Sequence, residues 1–262
     1  MDSERKRELL GQLVDGLCAE RGAKPFRSES INELWAAFRA LVNTRPPIPA
    51  DPAWLAMQDE LLKGMIAEAG VSILDDATPS PDDPRLRLWR GDITTLAVDA
   101  IVNAANSQML GCWVPGHHCI DNAIHTFAGV QLRIECARIM EAQGHEEPTG
   151  MAKITSAYNL PSKHVIHTVG PIANGHPSDL HREQLASCYR SCLDLAAENG
   201  LRSITFCCIS TGVFGFPQKE AAQIAVRTVC EWLDGSGSDM IAVFNVFSQE
   251  DEAIYRDLLV LS

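Results

Sequence analysis

Asn103-Ala-Ala-Asn-Ser-Gln-Met-Leu-Gly-Cys-Trp-Val-Pro-Gly-His-His-Cys-Ile-Asp-Asn-Ala-Ile-His125 is the stretch around which the rest of the chain reads as scaffold. The run before it, Asp99-Ala100-Ile101-Val102, is strand-like and delivers two asparagines, Asn103 and Asn106. A loop then places Cys112, His117 and Cys119 within eight positions. A helix opens at Asp121 and carries His125 one turn further on. Strand, chemistry-bearing loop and helix in succession predict an α/β unit whose ligand site lies at the carboxyl end of its strand.

The pattern outside this stretch agrees. From Leu86 onward, strand-like runs (Leu86–Trp89, Ala100–Val102, Ala152–Ala157, Val165–Val169, Ile204–Ile209, Ile241–Val246) alternate with helical ones (Gly129–Gln143, His181–Asn199, Lys219–Leu233, Asp251–Leu259). Such alternation predicts a three-layer α/β/α domain over 86–262, with a mixed, mainly parallel sheet covered on both faces. Residues 1–85 read differently. Glu4–Glu20 carries Leu9, Leu10, Leu13, Val14 and Leu17 at helical spacing. Ser30 predicts an N-cap, with Glu33 completing a capping box, ahead of an apolar face of Ile31, Leu34, Trp35, Phe38 and Leu41. A third helix spans about Pro52–Ala69 and ends at Gly70. The Pro- and Asp-rich stretch Asp75–Arg85 marks a boundary. Residues 1–85 are thus expected to be an N-terminal helical extension packed on the main domain.

Composition narrows the class. The chain has 262 residues, 46% hydrophobic and 21% charged, with a net charge of −12. Lys and Arg number 10 against 15 Asp and Glu in residues 1–85, and 12 against 19 in 86–262. With no basic arm or stripe, nucleic acid is not the expected partner. An anionic ligand must then be held by backbone N–H groups. No apolar run reaches the ~20 residues that span a bilayer, and no secretory signal opens the chain. Nine scattered cysteines fit free thiols in a reducing cytoplasm. Cys188, Cys192, Cys207, Cys208 and Cys230 read as small core residues.

Three constellations carry chemistry. Cys112-x4-His117-x-Cys119 offers two thiolates and an imidazole, a donor set suited to Zn²⁺ with one coordination position open; the alternative is two free cysteines beside a histidine. Two thiolates cancel the metal charge, so such a site favours polarising a substrate oxygen over generating hydroxide. Ser210-Thr211-Gly212-Val213-Phe214-Gly215-Phe216-Pro217 follows a strand and precedes a helix, where glycines let N–H groups approach a phosphate; a plain tight turn is the alternative. Asp92, just past the first strand, is either a ligand contact or a turn cap. His125, His164 and His167 read as structural.

Together these pieces resemble the macrodomain family, which binds ADP-ribose. The resemblance rests on Gly91-Asp92-Ile93-Thr94, Asn103-Ala-Ala-Asn106, Gly150 to Pro171 with Val165-Ile-His-Thr-Val-Gly170, Ile209 to Pro217, and Val246-Phe247, in family order from about 86 to 260. One departure matters. The family's glycine-rich run after the asparagines is replaced by Gly111–Cys119, which is similar to the zinc-containing subclass of bacteria and fungi, often encoded beside a sirtuin-type ADP-ribosyltransferase. That subclass also carries an N-terminal helical extension.

The resemblance implies a zinc-dependent mono-ADP-ribosyl hydrolase. Asp92 and Ile93 would meet the adenine, with Phe247 against its face and Asn245 adding a polar contact. Ser210, Thr211, Gly212, Val213 and Phe214 would cradle the diphosphate. Asn106 would contact the distal ribose and Asn103 support the loop. Asp121 would orient or activate water, beside one zinc on Cys112, His117 and Cys119. The implied partner is a mono-ADP-ribosylated protein, a glycine-cleavage-type lipoyl-carrier protein being one candidate. A non-catalytic ADP-ribose reader with a structural zinc, closed by a fourth protein ligand such as His118, is the rival expectation.

Overall fold

The computed structural model describes residues 1–261; residue 262 lies outside the described residues. Three helices come first: α1 (Ser3–Glu20), α2 (Ile31–Asn43) and α3 (Pro52–Ala69). Then follow β1 (Ser72–Ile73), β2 (Thr78–Pro79), β3 (Leu86–Arg90), β4 (Leu96–Ala97), β5 (Ala100–Ala105), α4 (Ile120–Ala128), α5 (Val130–Gln143), β6 (Ala152–Ser156), β7 (His164–Val169), α6 (Asp179–Glu198), β8 (Ser203–Phe206), α7 (Gln218–Ser236), β9 (Ile241–Val246) and α8 (Gln249–Leu258).

Seven strands form one sheet in the order β2-β3-β9-β8-β5-β7-β6. The five inner strands run parallel, and the edges β2 and β6 are antiparallel. Strand β5 is central and almost wholly buried, as a parallel strand covered on both faces must be. Helices α6, α7 and α8 pack together, while α4 lies against β5 and α5 against β6. This is the expected three-layer α/β/α arrangement. The parallel register brings the carboxyl ends of β3, β9, β8, β5 and β7 to one edge, and every candidate site segment leaves the sheet there.

Helices α1 to α3 have their own apolar core, built on Leu9, Leu13, Leu17, Leu34, Phe38, Leu61 and Leu62. Gly16 lets α1 and α3 close on each other, because a Cβ there would lie 2.7 Å from the Trp54 ring. The core is shared with the rest of the molecule: Val130 belongs to it and Phe127 packs against it. Polar contacts join the parts as well. Gln58, fully buried, accepts from the Val130 N–H at 3.0 Å and donates to Gln131 Oε1 at 2.8 Å. It thereby satisfies one of the orphan donors at the start of α5.

Three local expectations are corrected. Glu33 does not complete a capping box; its carboxylate accepts from Ser28 Oγ at 2.6 Å, and Ser28 Oγ itself takes the Ser30 N–H at 2.9 Å. Strand β8 stops at Phe206 rather than Ile209, because Thr211 turns back to bond the Cys208 carbonyl through N–H and hydroxyl. Residues before 85 also join sheets: β2 pairs with β3, and β1 with β4. Cys188, Cys192 and Cys207 are buried as expected, whereas Cys208 and Cys230 are half-buried.

Gln58→Leu leaves the Val130 N–H without its acceptor in a dry interface. The expected loss is about 1–3 kcal/mol of unfolding free energy, read from the urea midpoint at unchanged slope.

Candidate active site

The site is assembled from the carboxyl ends of four strands. Strand β5 ends in Asn103, Ala104 and Ala105, with Asn106 just beyond. Asn103 is fully buried and donates through Nδ2 to Asp121 Oδ1 at 2.8 Å. Asn106 Nδ2 donates to the Gly111 carbonyl at 3.1 Å and faces Asp121 Oδ2 at 3.4 Å, while its Oδ1 accepts from the Gln108 N–H at 3.0 Å. The two asparagines therefore bracket one carboxylate. Asp121 sits in the first turn of α4 and is 5% exposed. Burial pushes its carboxyl up to about 6, against the lowering effect of the Asn103 donor and the Arg133 charge.

Behind this pair stands His167. Asn103 and His167 are register partners on β5 and β7, so their side chains share a face. His167 Nδ1 lies 3.1 Å from Asn103 Nδ2 and His167 Nε2 lies 3.0 Å from Thr155 Oγ1. An amide nitrogen only donates, so Nδ1 is the acceptor and the ring proton resides on Nε2. Burial lowers the His167 pKa to about 3, keeping the ring neutral. His125 is also buried and neutral, its pKa held well below the ordinary value by burial first and then by His167 and Arg133. Its Nε2 is 3.6 Å from Asp121 Oδ1.

The loop between β5 and α4 carries the second constellation. One ligand atom from each of Cys112, His117 and Cys119 lies within 4.8 Å of the others. Cys112 Sγ is 3.5 Å from His117 Nδ1; tetrahedral zinc at its usual bond lengths sets such pairs about 3.6 Å apart. Left as a thiol, Cys119 is pushed up to about 11, by burial first and also by the Cys112 sulfur, despite the Asn122 N–H at 3.4 Å. A divalent cation reverses that balance and makes both sulfurs thiolates. The residues present fit zinc. His118 is exposed and does not join the cluster. Cys119 is also the N-cap of α4, so the cluster and Asp121 share one helix start.

The remaining segments flank this pair. Ser210 (φ 66°) and Gly215 (φ 64°) bend the β8–α7 loop. Phe216 N–H returns to the Ser210 carbonyl at 2.9 Å. Among the described residues, the N–H groups of Gly212, Val213 and Phe214 make no hydrogen bond. Val213 stands 77% exposed. Asp92 Oδ1 caps Thr94 through its N–H and hydroxyl. Ile93 is buried. Asn245 donates to the Gly91 carbonyl at 3.0 Å, tying the end of β9 to the loop of Asp92. Phe247, two residues further along the chain, is 81% exposed, so a large apolar ring faces solvent beside that loop.

Sequence reasoning gathered all these segments. It missed His167 as a partner of Asn103, and it missed Arg133. Arg133 donates to the Val42 and Arg45 carbonyls at 3.0 and 2.7 Å and lies 4.4 Å over the Trp113 ring. The signal for His167 was a lone imidazole on the inward side of a buried strand; Arg133 left none.

The Macro domain family matches residues 102–225. Relatives extend the match to most of the chain, which belongs to this family: a "Protein-ADP-ribose hydrolase" of Treponema medium is 58% identical over 224 residues, 85% of this chain and 86% of the relative. A protein of the same name from Staphylococcus aureus (strain MRSA252) is 51% identical over 229 residues, 87% of this chain and 85% of the relative. Among solved structures, the Trypanosoma brucei macrodomain in complex with ADP-ribose superposes with a TM-score of 0.66 at 32% identity, covering 84% of this chain and 94% of that one.

Gly111 has φ +77°, and a Cβ there would lie 2.8 Å from the His125 ring. Gly111→Ala is expected to lose about 1–3 kcal/mol, measured by urea unfolding of the metal-free chain.

Proposed function

We propose that the chain is a zinc-dependent mono-ADP-ribosyl hydrolase acting on modified protein side chains. The observation that carries this reading is the shared start of α4: a buried carboxylate bracketed by two carboxamides, with a Cys-His-Cys cluster beside it. The names of the relatives and the ADP-ribose complex of the Trypanosoma neighbour support the substrate class. A module that only bound its ligand would need no such carboxylate and metal-ligand pair at one helix start.

In this reading the adenine rests on Phe247 and Ile93, with Asp92 accepting from its amino group and Asn245 steadying the loop. The diphosphate lies in the Ser210 to Phe214 turn, against the free backbone N–H groups of Gly212, Val213 and Phe214, which lets an acidic chain accept an anion. Asn106 fixes the distal ribose, and Asn103 fixes Asp121. The bond from the ribose anomeric carbon to the acceptor side-chain oxygen breaks, its electron pair leaving with the acceptor oxygen, and water adds a hydroxyl to that carbon. Asp121 orients the water, takes up its one remaining proton and passes it to the freed acceptor or to solvent. Cys112, His117 and Cys119 would hold the zinc, which when bound would supply positive charge for an oxygen near that bond.

The acceptor we favour is a lipoyl-carrier protein of the glycine-cleavage type, modified by a sirtuin. No helix of the described residues is long and apolar enough to cross a membrane, and all nine cysteines are free, which supports action in the cytoplasm.

Release of ADP-ribose from a mono-ADP-ribosylated acidic-residue substrate tests the reading. Asp121→Ala should lower the rate by about 100-fold or more, and chelation or Cys119→Ala should lower it too. Undiminished release by chelated enzyme and by Cys119→Ala would remove zinc from the reaction. Tight ADP-ribose binding with no release, across ester-linked acceptors, would favour the reader.

Phe247→Ala separates binding from chemistry. Loss of one base–aromatic stack is worth about 1–3 kcal/mol. KM should therefore rise about tenfold while kcat stays near that of the unaltered chain.

A further inference from the structure

We infer that the helical extension is a working part of the metal site, through Arg39 and Asn43 of α2 acting as positioning residues for the ligand loop. The inference rests on the zinc reading above and deepens it.

The loop from Cys112 to Cys119 has no regular structure of its own, so its backbone must be held from outside. Two of its holders come from α2. Asn43 Oδ1 accepts from the Gly116 N–H at 3.0 Å, one residue before the ligand His117. Asn43 Nδ2 is committed to Thr126 Oγ1 at 3.0 Å, which fixes the carboxamide from the α4 side. Arg39 Nη2 donates to the His117 carbonyl at 3.2 Å and to Asn122 Oδ1 at 3.0 Å. Asn122 in turn gives its N–H to Cys119 Sγ and its side-chain amide to the Val114 carbonyl at 3.2 Å.

Each ligand after Cys112 is therefore one step from an α2 side chain. His117 is held at its own carbonyl and at the preceding N–H, and Cys119 is held through Asn122. Arg133 adds a third tie: it stacks on Trp113, next to Cys112, while bonding the carbonyls of Val42 and Arg45 at the end of α2. Asn43 is 1% exposed and Asn122 is fully buried, so the two carboxamides are fixed in place, and the bonds they make to the loop are partly shielded from water. Partners of this kind orient ligands, and their removal costs about 10–100-fold in metal affinity. The three donors must reach one point together. A loop free to wander pays its ordering entropy when the metal binds; a loop already held does not.

The test is the zinc dissociation constant of the full-length chain, by competition with a chromophoric chelator. Arg39→Met keeps the aliphatic stem, and Asn43→Ala removes the acceptor. Each should weaken zinc about tenfold or more, with stoichiometry of one in the unaltered chain. Arg21→Met is the control. It removes bonds from α1 to the Leu41 carbonyl and Thr44 at the same end of α2 without touching the loop, and should leave the constant within twofold. Arg39 is half-exposed, so Arg39→Met carries the result even if Asn43→Ala does not fold. Unaltered zinc affinity in Arg39→Met overturns the inference and leaves the zinc reading standing. Equal weakening by Arg21→Met overturns it too, as general loosening. A chain that takes up no zinc at all overturns both.

Discussion

A carboxylate that is taken out of water must find donors, and the constraint this places on Asp121 organises the site. Left unpaired, a buried carboxylate is costly enough to neutralise itself. Asn103 supplies the nearest donor, and it does so from a buried strand paired on both sides, by β7 and β8. The bond from Asn103 to Asp121 therefore pins the start of α4 to the end of β5. Everything between them becomes a closed loop of fixed ends. His167 extends the constraint backwards: by accepting from the same carboxamide, it settles which way Asn103 points. Burial raises the Asp121 carboxyl to about 6, against the lowering effect of the Asn103 donor and the Arg133 charge.

That pinned loop explains how two chemistries come to share one place. A helix start offers N–H groups and positive dipole; α4 gives the N–H groups of Asn122 and Ala123 to the Cys119 sulfur and carbonyl and carries Asp121 in its first turn. The same helix presents Asn122 toward α2. The sheet edge contributes the rest by topology alone, since β3, β9, β8 and β5 are neighbours and parallel. Their carboxyl ends bring Asp92, Phe247, the glycine turn and the asparagines to a common rim without any of them being close in sequence. The overall charge of −12 does not oppose an anion there, because the N–H groups of Gly212 to Phe214 act locally.

Most of the architecture was legible because it is periodic. Helix α3 begins and ends where Pro52 and Gly70 say it should, and β9 matches its apolar run. The candidate site segments stood out because unusual residue types fell in connections after strands. What periodicity cannot carry is a contact chosen by tertiary structure. The Glu33 carboxylate had two donors within five residues, the Ser30 N–H that would complete the box and the Ser28 hydroxyl, and only the approach of Ser28 decides between them. Strands β1 and β2 are two residues long, too short to alternate. His167 reads as a core histidine until the register places Asn103 beside it. Nothing in the sequence marks Arg39 and Asn43, since their partners lie more than 70 positions away.

The last of these bears on what the extension is. Its apolar core closes over Val130 and Phe127 of the neighbouring helices, and Gln58 caps α5. The same body reaches Gly116 and His117 through Asn43 and Arg39. Packing and positioning are thus served by one surface. The apolar contacts fix where α2 stands relative to α4, and that placement is what gives two polar side chains their reach. A loop with three donors and no secondary structure gains its shape from the elements on either side. Here one side is the Asp121 tie to the sheet, and the other is a helix that composition alone would assign to a separate, purely structural part.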